Sequence, residues 1–290
     1  MAATSREFFL APEEVRKAVA RALAEDLPWG DVTTDNLIPY GQAGVGRLEA
    51  RQSGILAGLP LALETFAQLD PDLRIETQVS DGTRLAPGQI IALVRGSLRS
   101  LLRGERVALN FLQRLSGVAT STDGFVQAVE GTGARIVDTR KTTPGLRLLE
   151  KYAVRVGGGQ NHRFCLSDAV LIKDNHLAAL ALRGIDLGST VRDLRSRIPH
   201  TTSIEIEVEN FGQLAEALEA GADTILLDNM SPAKLREAVV LVAGRARTEA
   251  SGGITLETVR AVAESGVDLI SVGALTHSVK ALDLALEIEV

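Results

Sequence analysis

From residue 135 onward one pattern occurs six times: a short apolar run, then polar, charged or glycine residues, then a helix-compatible stretch. The runs lie at 135–138, 169–172, 203–208, 224–227, 248–250 and 269–272. Strands separated by helices pair in parallel, because each connection must cross back over the sheet. All strand carboxyl ends then fall on one edge, where ligands of such sheets bind. Six runs are fewer than the eight of a full barrel, so periodicity leaves both a closed or nearly closed barrel and an open doubly wound sheet standing.

The residues just past each run form a coherent series. They are Thr139-Arg140-Lys141, Lys173-Asp174-Asn175-His176, Glu207 and Glu209, Asp228-Asn229, Ser251-Gly252-Gly253, and Gly273. Cations come first, carboxylates second and glycines last. Residues 135–176 hold eight Lys+Arg against four Asp+Glu, in a chain whose formal charge is -6. Arg147, Lys151 and Arg155, spaced by four, read as a solvated helix face. Arg140, Lys141 and Lys173 sit at strand ends, where carboxylates or phosphates are their natural partners. His162, beside Arg163 and after the Gly157-Gly158-Gly159 triplet, reads as a ligand group rather than a structural histidine.

The run Ser203-Ile204-Glu205-Ile206-Glu207-Val208-Glu209 alternates strictly, so its carboxylates share one strand face. In a helix-covered sheet that face points into the barrel or crevice, where like charges need cations or a metal. With Asp228 it makes the oxygen-only donor set that Mg²⁺ prefers beside a phosphate substrate. Glycines ending the last two strands suit a phosphate held by backbone N–H groups.

The first part of the chain has a different grammar. A helix is predicted over 11–26 with Pro12 in its first turn, strands over 47–50, 74–79 and 89–94, and a helix over 61–69. Helices over 97–115 and 117–129 follow, placing a domain boundary at Ser116-Gly117. The Asp81-Gly82 and Pro87-Gly88 turns are faintly like a lipoyl hairpin, but no lysine sits at a tip to carry a cofactor. Composition excludes other classes. At 3% aromatic and -6 the chain offers neither a basic footprint nor stacking platforms for nucleic acid. Its single cysteine, Cys165, allows no disulfide framework or multi-cysteine metal centre and reads as inert core, which fits a reducing cytoplasm. No apolar run approaches the roughly 18 to 20 residues that span a bilayer. Glu7, Glu13 and Glu14 stand where a signal peptide would be basic and then apolar, so the chain reads as soluble, with no membrane partner.

These motifs together resemble the quinolinate phosphoribosyltransferase family. The resemblance runs through Glu25-Asp26, Gly30-Asp31-Val32-Thr33-Thr34, Glu105-Arg106, Leu109-Asn110, Ser116-Gly117, Asp138-Thr139-Arg140-Lys141-Thr142 and Pro144-Gly145. It continues through 157–163, 171–176, 205–208, Leu227-Asp228-Asn229, Ser251-Gly252-Gly253-Ile254 and Leu275-Thr276-His277-Ser278. It implies an α/β fold, with an incomplete α/β barrel of fewer than eight strands over 117–275 and an N-terminal α/β sandwich domain over 1–116, rejoined by a C-terminal helix over 276–290. It implies the joining of quinolinate to phosphoribosyl pyrophosphate with Mg²⁺, releasing pyrophosphate and carbon dioxide and leaving nicotinate mononucleotide, in NAD biosynthesis.

It further implies a homodimer, alone or within a higher oligomer, with Arg106 reaching the neighbouring site. By similarity Arg140, His162, Arg163 and Lys173 would join Arg106 around quinolinate, Lys141 would face the phosphoribosyl substrate, and Thr139 would bind substrate beside them. Glu207 and Asp228 would hold ribose hydroxyls and Mg²⁺, directly or through water. Ser251, Gly252, Gly253 and Gly273 would take the 5′-phosphate on backbone donors, with Val272 and Ala274 also at the substrate. Lys141, Glu207 and Asp228 are the catalytic candidates. Transfer to a monocarboxylate such as nicotinate, a non-catalytic phosphosugar-binding barrel, and a Schiff-base lyase resting on Lys173 are the competing readings.

Overall fold

The computed structural model describes residues 10–290, and Glu7, used in the signal-peptide argument, lies outside them. The chain divides into two compact units. The first comprises residues up to Asp123, Leu148–Gly158 and Val279–Val290, and the second Gly124–Arg147 and Gly159–Ser278.

The first unit begins with α1 (Pro12–Asp26), started by Pro12 and burying Val15 and Val19. Then come α2 (Val32–Leu37), β1 (Ala43–Ala50), β2 (Gly54–Ile55), α3 (Leu59–Leu69), β3 (Arg74–Thr77), β4 (Arg84–Leu85), β5 (Ile90–Ser97) and α4 (Leu98–Ala128). Asp31 caps α2 by accepting the Thr33 and Thr34 N–H groups, both at 3.0 Å. The helices expected over 97–115 and 117–129 are one helix. Gly117 is not a break there: a Cβ on it would lie 2.2 Å from the Lys280 carbonyl oxygen, so the glycine admits a crossing segment of backbone.

The second unit continues with β6 (Arg135–Val137), α5 (Arg147–Val156), most of which belongs to the first unit, then β7 (Val170–Ile172), α6 (Asp174–Leu182), α7 (Leu187–Arg197), β8 (Ile204–Val208), α8 (Phe211–Ala220), β9 (Thr224–Asp228), α9 (Pro232–Val242), β10 (Arg247–Ser251), α10 (Val259–Ala263), β11 (Leu269–Ser271) and α11 (Ala274–His277). The six strands lie in the order β6-β11-β10-β9-β8-β7, and the strand pairings are parallel. The order is that of a barrel cut open between β6 and β7, which form the two edges; among the described residues no ladder closes the ring.

Three expectations are corrected. The segment expected as a C-terminal helix over 276–290 is instead the short α11 followed by β12 (Leu284–Glu289). The alternation of Leu284, Leu286 and Ile288 with Ala285, Glu287 and Glu289 has the two-residue period of a strand, and β12 pairs antiparallel with β1, opposing Leu286 to Leu48. In the first unit's sheet, β12-β1-β5-β3, it buries Leu284 and Leu286 among Leu48, Leu56, Phe66, Ile91, Leu101 and Leu112. The basic face expected on α5 is not solvated, since Lys151 is 0% exposed. Residues 149–154 are all buried, so a four-residue spacing there cannot mark a wet face; Glu150, also buried, accepts from Arg114 at 2.6 Å. Cys165 is exposed rather than core, because 164–168 is a surface connection with no strand to cover it.

Gly117→Ala is expected to destabilise the protein by about 1–3 kcal/mol through overpacking. Gly124→Ala, in the same helix but with its nearest neighbour, Leu256, 3.8 Å from the added Cβ, should be neutral or stabilising. Thermal melts of the two variants decide the matter; equal melting temperatures would remove the packing role of Gly117.

Candidate functional site

The strand ends of the second unit carry the charged residues. Asp138, fully buried just past β6, organises the following glycine-bearing loop: its Oδ1 accepts the His162 backbone N–H at 2.9 Å and its Oδ2 accepts the Asn161 amide at 2.6 Å. Gln160 bridges back to Val137, so the loop adds a short parallel pairing to the sheet edge. Arg147 ties this loop to the one after β6, donating to Thr142 Oγ1 at 3.1 Å and to the Phe164 carbonyl at 3.0 Å.

His162 is held at both ring nitrogens. Nδ1 accepts the Arg163 backbone N–H at 2.8 Å, and Nε2 lies 2.9 Å from Glu205 and 3.7 Å from Glu249. An accepting Nδ1 places the ring proton on Nε2, aimed at Glu205. The three side chains are close enough to share a metal ion, since their ligand atoms lie within 4.8 Å of one another. The tautomer argues against it, because the nitrogen a metal would need already carries the proton. Glu249 is 2% exposed, and one oxygen each of Glu205 and Glu249 makes no hydrogen bond. Burial, then the neighbouring negative charge of Glu205, pushes the Glu249 carboxyl up to about 7. Near neutral pH Glu249 therefore exchanges a proton readily, and protonation relieves its repulsion with Glu205.

Above these buried acids the cations gather. Burial and the adjacent Arg140 guanidinium lower the pKa of Arg163, and the Arg140 Nε is itself buried without a hydrogen-bond partner. Two guanidinium groups so placed favour an anion between them. Lys173 Nζ lies 3.3 Å from Glu207, a cation from the end of β7 meeting a carboxylate on β8. Asp228 ends β9 and stands opposite Ser251 of β10 in the parallel register. Gly252 and Gly253 both have left-handed backbone, φ +97 and +59. A cavity of roughly 330 Å³ lies beside Ser251, Gly252, Gly253 and Ile254. A Cβ on Gly273 would lie 3.0 Å from His277 Nε2 and 3.2 Å from Lys141 Cδ, so the missing side chain leaves room for both. The Thr276 hydroxyl donates to the Lys141 carbonyl at 2.8 Å, joining the loop after β6 to the helix after β11.

Charge argues against a second cavity as the place for polyanions. A larger one, roughly 770 Å³, is lined by α6, α7 and α8, with Asp174, Asp186, Glu216 and Glu219 against Arg192. Its excess of acids would repel a polyanion.

The structure thus brings His162 to Glu205, Arg163 to Arg140, Lys173 to Glu207 and Lys141 to Gly273. Thr139 accepts the Lys141 N–H at 3.0 Å. Val272 is buried at the end of β11, and Ala274 opens α11. Arg106 belongs to the first unit, exposed on α4. Glu249 and Asp138 were assigned no role from sequence, and Arg147, read as part of a solvated helix face, instead ties two loops together. Glu249 had one available signal, an acid inside a short apolar strand.

Comparison with known proteins covers nearly the whole chain. Residues 118–287 match the family model described as quinolinate phosphoribosyl transferase, C-terminal domain, and residues 31–116 match its N-terminal domain. A probable carboxylating nicotinate-nucleotide pyrophosphorylase of Bacillus subtilis is 43% identical over 275 residues, 95% of this chain and 93% of that protein. The carboxylating nicotinate-nucleotide pyrophosphorylase of Mycobacterium leprae is also 43% identical, over 95% of this chain and 98% of its own. The crystal structure of NadC from Streptococcus pyogenes superposes with a TM-score of 0.92 at 41% identity, covering 98% of this chain and 99% of that one.

Glu249 favours the folded state below pH 4.5, where it is protonated both folded and unfolded, and that contribution is lost as pH rises through about 7. Glu249→Gln, neutral throughout, is therefore expected to gain stability relative to the parent between pH 5 and 8, by on the order of a few kcal/mol. Urea denaturation at the two pH values measures this; a difference that does not change with pH would refute the protonated carboxyl.

Proposed function

The chain belongs to the quinolinate phosphoribosyltransferase family, and from that premise we propose how its strand-end residues divide the work. The protein is a carboxylating nicotinate-nucleotide pyrophosphorylase: it transfers the phosphoribosyl group of phosphoribosyl pyrophosphate to quinolinate, with loss of carbon dioxide, giving nicotinate mononucleotide and pyrophosphate for NAD biosynthesis. The observation that supports the residue assignment is the set of strand-end cations: Arg140 with its buried, unpartnered Nε, Arg163 whose pKa burial and Arg140 lower, and Lys173 beside Glu207. Quinolinate is a dianion, and this is the concentration of positive charge that receives it.

Arg140, Arg163 and Lys173 bind the two carboxylates. Thr139 holds the turn that presents Arg140 and Lys141. His162, with both nitrogens occupied, serves the acceptor by fixing the Arg163 backbone. Ser251, Gly252, Gly253 and the Val272-Gly273-Ala274 segment hold the 5′-phosphate, and Lys141, lying over Gly273, faces the diphosphate. Glu207 and Asp228, carboxylates ending neighbouring strands, orient the ribose hydroxyls and offer the oxygen donors that suit Mg²⁺. Bound there with the diphosphate, Mg²⁺ would supply charge neutralisation for the leaving group.

As the C1–oxygen bond to pyrophosphate breaks, positive charge grows on the sugar ring and the Glu207 and Asp228 carboxylates stabilise it. The pyridine nitrogen, oriented by the cations on its carboxylates, donates its lone pair to C1. The nitrogen is then cationic, so the C2–carboxylate bond can break and leave its electron pair on the carbon beside it. One proton added at C2 completes the nucleotide.

The assembly we propose is a homodimer in which Arg106 of one protomer completes the acceptor side of the other; its exposure on α4 supports that role. Among the described residues no helix is long and apolar enough to cross a membrane. A cytoplasmic location belongs to the same proposal and is supported by the chain's single cysteine.

With carboxyl-labelled quinolinate, carbon dioxide release is expected to require quinolinate, phosphoribosyl pyrophosphate and Mg²⁺ together. Arg140→Ala and Lys141→Ala should each lower kcat/KM by about 100-fold or more, the first mainly through quinolinate and the second mainly through the phosphoribosyl substrate. Near-parental kinetics in either variant would sink its assignment.

A further inference from the structure

Asn229 follows β9 with φ 54, one of two residues other than glycine in the left-handed region among those described. The other, Ala243, is the C-cap of α9, where that conformation ends a helix. Asn229 ends no helix. It makes three contacts instead. Its backbone N–H donates to the Ser251 carbonyl at 2.9 Å, extending the β9–β10 ladder past its last paired residues. Its side-chain amide donates to Asp228 Oδ2 at 2.6 Å. Its amide oxygen lies over Gly252 so closely that a Cβ on Gly252 would be 2.2 Å from it and 2.7 Å from Asn229 Cγ.

These contacts join two groups assigned to different parts of one substrate. Asp228 serves the ribose, and Ser251-Gly252-Gly253 serve the 5′-phosphate. The ribose and its phosphate are separated by a single C5′–O linkage, so carboxylate and phosphate loop must keep a fixed spacing. Asparagine is the residue other than glycine that tolerates left-handed backbone best, because its short amide can bond locally there. Glycine would allow the backbone but bring no amide. Alanine would bring neither comfort in that conformation nor a donor.

We infer that Asn229 is a positioning residue that locks the Asp228 carboxylate to the Gly252 phosphate loop, and so sets recognition of the phosphoribosyl group as one unit. This rests on the assignment of Asp228 and Ser251-Gly252-Gly253 given above. Asn229 need not touch the substrate; it acts through the two groups that do. Its effect is therefore specific to phosphoribosyl pyrophosphate and leaves the acceptor side alone.

The test is steady-state kinetics of Asn229→Gly, Gly252→Ala and the double variant, with Asp228→Asn as the control for the site assignment. Asn229→Gly keeps the backbone conformation and loses the amide. It should raise KM for phosphoribosyl pyrophosphate roughly tenfold, the order of one hydrogen bond to a charged group, while KM for quinolinate stays within about twofold. Gly252→Ala should cost less in the Asn229→Gly background than in the parent, because the amide its Cβ would strike is gone. The backbone strain at Gly252 is common to both backgrounds and cancels. Asn229→Asp, which sets a carboxylate against Asp228, should show the same preference for the phosphoribosyl substrate and serves if the glycine variant folds poorly.

Equal rises in both KM values, or multiplicative effects in the double variant, would overturn the inference. If Asp228→Asn raises KM for phosphoribosyl pyrophosphate and Asn229→Gly does not, the inference alone fails. If Asp228→Asn leaves that KM unchanged, the site assignment fails and takes the inference with it.

Discussion

A carboxylate inside an apolar sheet has to be neutralised, and the second unit buries two of them, Glu205 on β8 and Glu249 on β10. Neither has a lysine or arginine within ion-pair reach among the described contacts; what meets them is His162. That requirement fixes the position of the glycine-bearing loop. Asp138 at the end of β6 receives the loop's backbone and the Asn161 amide, and the bridge from Gln160 to Val137 completes the seat. With His162 so held, Arg163 follows through its own N–H, and its guanidinium is placed near Arg140. The Arg140 and Arg163 end of the edge is thus built outward from a buried charge problem.

The sheet supplies the other organising constraint. Parallel strands joined by helices send every carboxyl end to the same edge, so side chains far apart in sequence become neighbours with no need for a long shaped loop. Lys173 and Glu207 meet because β7 and β8 are adjacent, and Asp228 stands beside Ser251 because β9 and β10 are. Along the edge the cations after β6 are followed by the glycines after β11 and β10, then by the Asp228 and Glu207 carboxylates of β9 and β8, and last by Lys173 after β7.

The first unit is held together by a different economy of space. Its sheet includes the last strand of the chain, β12, laid against β1. Reaching that strand requires backbone to pass against the middle of α4, and a side chain at residue 117 would occupy the path. A glycine that looks like punctuation in a helix is there a close-packing position.

The sequence by itself was sufficient for the alternation of strand and helix, for the residues at strand ends, and for their chemical kinds, because the period of apolar residues and the placement of charges are local properties. It also carried the motifs of the family. The role of Glu249 and its raised carboxyl were decided only by tertiary structure, since they depend on which strands lie side by side and on how far water is excluded. The burial of Lys151 and the exposure of Cys165 belong to the same class: spacing records which residues share a face, and only packing decides whether that face is covered. Asn229 lies between the two classes. Its identity was plain beside Asp228, but its left-handed backbone and its contact with Gly252 arise where β9 and β10 end together, and no local pattern records that meeting.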